Sequence, residues 1–164
     1  MEIRKITSQD DRASLSRVYE QSWKSAYRNI IPQNYLDSIP EGRWAKSADK
    51  PGMNTMLLVD DDKIIGTSGY CSSRFPEMSG YGEIVSIYLL PEFTGQGLGL
   101  KLFKTVIADL QAQGFRDIFL WVLEENLHAR RFYERFGFTY SGKYLDDNIG
   151  GRDLRELQYV YHIK

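Results

Sequence analysis

The stretch from Glu83 to Leu123 constrains this chain more than any other. "EIVSIYLL" is a dense apolar run suited to a central strand, and "RDIFLWVL" is a second one. Between them, "LGLKLFKTVIADLQAQG" places Leu98, Leu102, Phe103, Val106, Ile107 and Leu110 on one helical stripe, with Gly114 as its stop. A strand, helix and strand in succession return by a crossover and lie parallel in one sheet. The first strand meets the helix through "PEFTGQGLG", which sets Gly95, Gly97 and Gly99 two apart.

The flanking segments add to this unit. "EIRKIT" reads as a first strand, and Ser8 with Asp10 and Asp11 signals a helix start. Leu15, Val18, Tyr19, Trp23 and Tyr27 follow at helical spacing. "NIIPQNYLDSI" reads as a turn and a short helix beginning near Pro32, while residues 41–54 are loop or ragged helix. "TMLLVDDDKIIGTSGYCSS" predicts a hairpin around Asp60 to Lys63, and "RFPEMSGYG" a loop. "NLHARRFYERFG" predicts a short helix ending at Gly137, and "LQYVYHI" a closing strand. The order of elements argues for an α/β fold with a mixed sheet whose centre is parallel.

Composition sets the surroundings. At 164 residues the chain is expected to be a single domain over residues 1–164, large enough to bury its own core. A net charge of −1 gives no reason to expect nucleic acid or a membrane as partner. No signal-peptide core and no membrane-length apolar run is present, so the expected location is cytoplasmic. Cys71 is the one cysteine and His128 and His162 are the two histidines. That inventory rules out an internal disulfide and argues against a metal site.

A glycine turn that opens a helix is a ready anion site, because backbone N–H groups converge there with the helix dipole behind them. The dinucleotide spacing G-x-G-x-x-G fails, since the third glycine would fall on Leu100 or Leu102. The P-loop ending Gly-Lys-Ser/Thr fails as well, because Leu100 precedes Lys101 and Leu102 follows it. A ligand-free strand-to-helix turn stays open on these grounds.

"LLPEFTGQGLGLKLF" followed, one helix and one strand later, by "ENLHARRFYERFGF" resembles the GNAT superfamily of N-acetyltransferases. The first segment resembles the family's Q/R-x-x-G-x-G/A loop. The second matches the N-x-x-A-x-x-F-Y-x-x-x-G-F helix at Asn126, Ala129, Phe132, Tyr133, Gly137 and Phe138. The resemblance is close over roughly residues 56 to 140. It implies the GNAT fold, a mixed, mostly antiparallel sheet with a central parallel strand pair flanked by helices. It also implies transfer of an acetyl group from acetyl-CoA to an amine.

By that resemblance the backbone of Ile87, Tyr88 and Leu89 pairs with the pantetheine arm. Gly95, Gln96, Gly97, Leu98, Gly99 and Leu100 meet the diphosphate, and Asn126 contacts the cofactor while capping its helix. Thr94 stands where the family usually has Arg or Gln, which removes a charge; Gln96 or Lys101 would have to compensate. Tyr133 serves the departing thiolate. Its ordinary pKa of about 10 against about 8.5 for a thiol makes full proton transfer uphill by about 2 kcal/mol. A hydrogen bond to the developing sulfur anion is therefore the expected role.

Freeing the lone pair of an alkylamine at neutral pH costs roughly 4–5 kcal/mol. Glu83, at the start of the central strand, is a candidate base acting through water; as a solvent-facing strand end it would do nothing. Another family branch carries its base five residues before the motif Asn, and Trp121 stands there instead. Trp23, Tyr27 and Tyr35 are candidate acceptor-lining residues, joined by Tyr88 if it faces the cleft; as helix-face aromatics they are equally suited to the core. Asp60 to Asp62 would attract a cation or simply be solvated. The expected acceptor is a small-molecule amine. A peptide amine, or a non-catalytic acyl-CoA-binding role, are the alternatives, and a homodimer stays open.

Overall fold

The computed structural model describes residues 1–164. Seven strands form one sheet in the order β1-β2-β3-β4-β5-β7-β6. In chain order these are β1 (Glu2–Lys5), β2 (Asn54–Asp60), β3 (Lys63–Ser72), β4 (Gly82–Leu89), β5 (Asp117–Leu123), β6 (Thr139–Ile149) and β7 (Arg152–His162). Four helices flank it: α1 (Arg12–Ala26), α2 (Gln33–Asp37), α3 (Leu98–Ala112) and α4 (Leu127–Phe136). Only β4 and β5 run parallel, joined by the α3 crossover. The expected central parallel pair in an otherwise antiparallel sheet is what forms.

One strand escapes the apolar pattern. β6 pairs with β7 as a hairpin and ends the sheet. Ten of its eleven residues are exposed and the last is only half-buried, so it carries no alternation of apolar and polar positions. The two glycines of its turn, Gly150 and Gly151, both have positive φ.

Strand alternation divides the core. Tyr70, Ile84, Ile118, Leu120 and Tyr159 face α3, where Leu102, Phe103, Val106 and Leu110 bury their side chains. Phe103 also meets the rings of Phe132, Tyr133 and Phe136 at 5.4, 5.7 and 4.8 Å, which fixes α4 against α3. The opposite face is covered by α1 and α2. Leu15, Val18 and Tyr19 pack over β2 and β3, and Ile31 and Leu36 over Leu123 and Leu154.

The central strands do not stay together. Parallel pairing covers only Gly82–Ile84 against Ile118–Leu120, although β4 continues to Leu89 and β5 to Leu123. Against β3, the register jumps from Ser86 to Ile84, leaving Val85 as an extra residue. Such a bulge bends its strand and raises its twist. The two strands diverge past that point, so from Val85 onward β4 has an unpaired edge at the centre of the sheet.

Candidate active site at the split strands

The glycine turn stands at the end of that unpaired edge. Leu90 to Phe93 make a short 3-10 turn, and Gly95 (φ 76°) and Gly97 (φ 78°) lie in the left-handed region that favours glycine. Gly97 caps α3 with no side chain, so nothing of the protein covers the helix start. The amides of Gly95, Gln96, Gly97, Leu98, Gly99 and Leu100 donate to nothing within the protein; Lys101 is the first to bond back, to the Gly97 carbonyl at 3.3 Å. A Cβ built on Gly95 or Gly97 would meet no atom within 4 Å, so the space before these amides is open. Six unpaired donors at the positive end of a fifteen-residue helix fit a diphosphate. The adjoining strand edge fits an extended amide-bearing chain. These residues suit coenzyme A.

Thr94 does not point at that space. Its hydroxyl donates to the Pro91 carbonyl at 2.8 Å, closing the 3-10 turn, and the Gln96 amide reaches the Glu92 carbonyl at 3.2 Å. Lys101 is exposed and engages no acid. Asn126 caps α4, its Oδ1 accepting from the Ala129 amide at 3.2 Å, and its Nδ2 is without a partner. Arg130 of α4 donates to the Tyr159 hydroxyl at 3.0 Å and to the Glu124 carbonyl at 2.8 Å. Ile87 and Leu89 are partly buried and pack their side chains against the apolar core.

Across the split, hydroxyls gather. Tyr27 closes α1, and its hydroxyl lies 3.2 Å from that of Tyr88 on β4. Tyr133 of α4 stands near enough that Tyr88 opposes its ionisation and it opposes that of Tyr27. Burial pushes Tyr133 and Tyr88 well above the ordinary phenol range and Tyr27 up to about 12. Each stays a neutral O–H donor at physiological pH. The Tyr133 hydroxyl makes no hydrogen bond within the protein and so is free to donate. Its raised pKa widens the gap to a thiol, which favours donation over outright proton transfer.

Next to the tyrosines is a cavity of about 450 Å³ over β3 and β4, under α1 and the segment from Trp44 to Met53. Tyr19, Trp23, Trp44 and Tyr88 form its aromatic wall, with Tyr19 stacked on Trp44 at 5.5 Å and Trp23 tilted against it at 5.3 Å. Trp23 and Tyr88 thus line it. Tyr35 does not: it packs on the Gly150 turn and bonds Arg43 through its hydroxyl at 3.1 Å. Asp60 to Asp62 are also removed from it, forming the tight turn of the β2–β3 hairpin.

Glu83 is neither solvent-facing nor free. Its side chain is 1% exposed and is clamped by Arg74, whose backbone N–H, Nε and Nη2 donate to it at 3.0, 3.1 and 2.6 Å. The expected role as a base meets a carboxylate whose two oxygens both accept from Arg74. Sequence reasoning missed Arg74, Tyr19 and Trp44 at the site: nothing local in "SSRFPEM" marks Arg74, Tyr19 reads as one more residue of the α1 apolar stripe, and Trp44 falls in a segment without periodicity.

Comparison with known proteins places the chain in a family and agrees with its fold. The model of the acetyltransferase (GNAT) family matches residues 15–138. The chain is 31% identical over 153 residues to the N-acetyltransferase YuaI of Bacillus subtilis, spanning 90% of this chain and 86% of that one. It is 25% identical to spermidine N(1)-acetyltransferase of Thermoplasma acidophilum, across 97% and 98% of the two chains. Spermine/spermidine N(1)-acetyltransferase of Bacillus subtilis is 42% identical over 106 residues, 61% of this chain and 68% of that protein. Among solved structures, PaiA N-acetyltransferase from Thermoplasma acidophilum in complex with coenzyme A superposes with a TM-score of 0.72 over 98% of both chains at 21% identity, a likeness of fold.

Proposed function

This chain belongs to the acetyltransferase (GNAT) family and is an acetyl-CoA-dependent N-acetyltransferase; from that premise we propose that its acceptor is a small-molecule primary amine of the polyamine class. The observation that carries the reading is the split between β4 and β5, with open amides at one end and three tyrosines at the other, of which Tyr88 lines a half-open cavity. A half-open cavity of about 450 Å³ is of the size that takes a small acceptor. The relatives that act on spermidine and spermine support the class.

The bound thioester supplies the acyl group and the thiolate leaving group. The protein's part is positioning and charge stabilisation. The amides from Gly95 to Leu100 would hold the diphosphate, and the free edge of β4 would take the pantetheine arm. Tyr133 donates its O–H toward the sulfur as negative charge develops there. Tyr27 and Tyr88, bonded to each other, form a neutral polar rim that excludes bulk water from the attacking amine. After losing one proton to solvent the amine attacks the thioester carbonyl directly within a ternary complex; the N–C bond forms, the C–S bond breaks, and the second amine proton ends on the departing thiolate to give the free thiol. No nucleophile is assembled for an acyl-enzyme, since Cys71 is buried, with its thiol pushed up by burial and by Glu83.

The test is thiol release from acetyl-CoA with spermidine, spermine, 1,4-diaminobutane, amino acids and a short peptide. Turnover greatest with the polyamines is expected. Turnover with the peptide alone would replace the small-molecule reading. Tight acetyl-CoA binding without thiol release to any amine would favour a binding module.

A further inference from the structure

We propose that Glu156 anchors a positively charged group of the acceptor, and so gives the enzyme a preference for amines that carry a second ammonium. The proposal rests on the amine-acetylation reading above. Glu156 lies on β7 opposite Leu123 of β5 and Leu145 of β6, on the sheet face shared with Trp121 and Gln158. That is the face covered by α1 and α2.

Its carboxylate is half-buried, yet it makes neither a hydrogen bond nor an ion pair. The other buried carboxylates are satisfied: Glu83 by Arg74, and Glu20 by Ser16 and the Gly42 amide. The groups facing Glu156 only add to its cost. Asp147 of β6 repels its charge, and Tyr27 at the end of α1 offers no cation. An acid taken from water costs stability unless something of opposite charge pairs with it. Within this fold nothing does, so the fold gains nothing from it; a bound cation would.

The surrounding polar atoms point the same way. Gln158 is 1% exposed and its Nε2 donates to nothing, while the indole N–H of Trp121, opposite it in register, is equally buried and unpartnered. This patch carries polar groups that the protein does not satisfy. It is also beside the chemistry, because Tyr27, whose hydroxyl lies 3.2 Å from that of Tyr88, packs against the cluster of Leu123 and Leu154, the cross-strand partner of Glu156 and its neighbour on the same face of β7. The neighbouring cavity offers no rival anchor. Its charged lining residues are Lys50 and Arg74, both cations. An acceptor with its reactive nitrogen near Tyr133 has Glu156 as the carboxylate for its second charge.

The experiment compares 1,4-diaminobutane with butylamine in the wild type, Glu156→Gln and Glu156→Asp. The wild type is expected to prefer the diamine. Glu156→Gln should lower kcat/KM for the diamine by about 10- to 100-fold, mainly through KM, the worth of one charge-assisted contact. Butylamine should change by no more than about twofold, and Glu156→Asp should recover part of the preference. Equal losses on both amines would mark a structural role and overturn the proposal, as would no change on either. If the wild type acetylates no amine at all, the acetyl-transfer reading falls instead. Calorimetric binding of 1,4-diaminobutane to wild type and Glu156→Gln then decides the anchor alone: weaker binding to the variant keeps it, equal binding or none rejects it.

Discussion

The two ends of the split are built from different materials. At the glycine turn the groups left open to a ligand are six consecutive backbone amides, and side chains are either absent or turned away, as with Thr94. At the tyrosine end the candidate groups are side chains: Tyr27 at the end of α1, Tyr88 of β4, Tyr133 of α4 and, as proposed above, Glu156 of β7. The first end needs one local conformation and tolerates many sequences around it. The second needs four distant elements packed correctly, so its precision derives from the core, chiefly Phe103 holding α4. Loss of a side chain at the tyrosine end should therefore cost rate. Strain at the glycine end should cost affinity and stability.

The widest effect expected on this contrast is at Tyr133. Tyr133→Phe removes one positioned donor, and kcat should fall by about 10²- to 10³-fold with the Kd for acetyl-CoA unchanged. A matching loss of cofactor affinity would erase the distinction between the ends.

Next comes Arg74→Ala, which leaves Glu83 buried without its partner. Stability should fall by about 3 kcal/mol, at the low end for breaking a buried pair because Arg74 is half exposed. A melting temperature about 6–12 °C lower would record it. An unchanged value would mean that Glu83 escapes to solvent and is available as a base after all.

Gly97→Ala meets no atom but forces a side chain into the left-handed region. A loss of about 1–2 kcal/mol is expected, with weaker acetyl-CoA binding and kcat at saturation intact. A fall in kcat alone would place the turn among the rate-determining parts.

The smallest effect is in pH dependence. Burial first, then Asp147, holds the Glu156 carboxyl above its ordinary range. Its folded pKa lies above the unfolded value of about 4.3, so the folded state holds the proton more tightly. Its contribution is complete below the unfolded value and disappears as pH rises through the folded one. Glu156→Gln should remove that fall, and the variant should equal or exceed the wild type in stability at neutral pH. Urea titrations of both proteins across pH 4 to 8 measure it.

The same contrast explains what could be read in the sequence. The glycine turn, the α4 helix with its Asn126 cap and Gly137 stop, and the central βαβ unit are local patterns, and each stands where the sequence puts it. Glu156 could not be found that way. Its neighbours on the sheet come from β5 and β6, and Tyr27 comes from the far end of the chain. Glu83 was visible but its burial was not, because Arg74 arrives from the loop after β3 and only the folded register brings them together. Tyr35 has the same composition as a pocket aromatic, yet packs on the β6–β7 turn, a hairpin whose outer strand has no apolar rhythm to announce it.

One measurement tests the division of labour most directly. Backbone amide spectra of isotope-labelled protein, recorded with and without coenzyme A, should show the resonances of Gly95 to Leu100 shifting and becoming protected from exchange, as a group and at stoichiometric saturation. Binding that leaves those six amides unmoved while shifting resonances elsewhere would contradict a donor site made of backbone at the glycine turn.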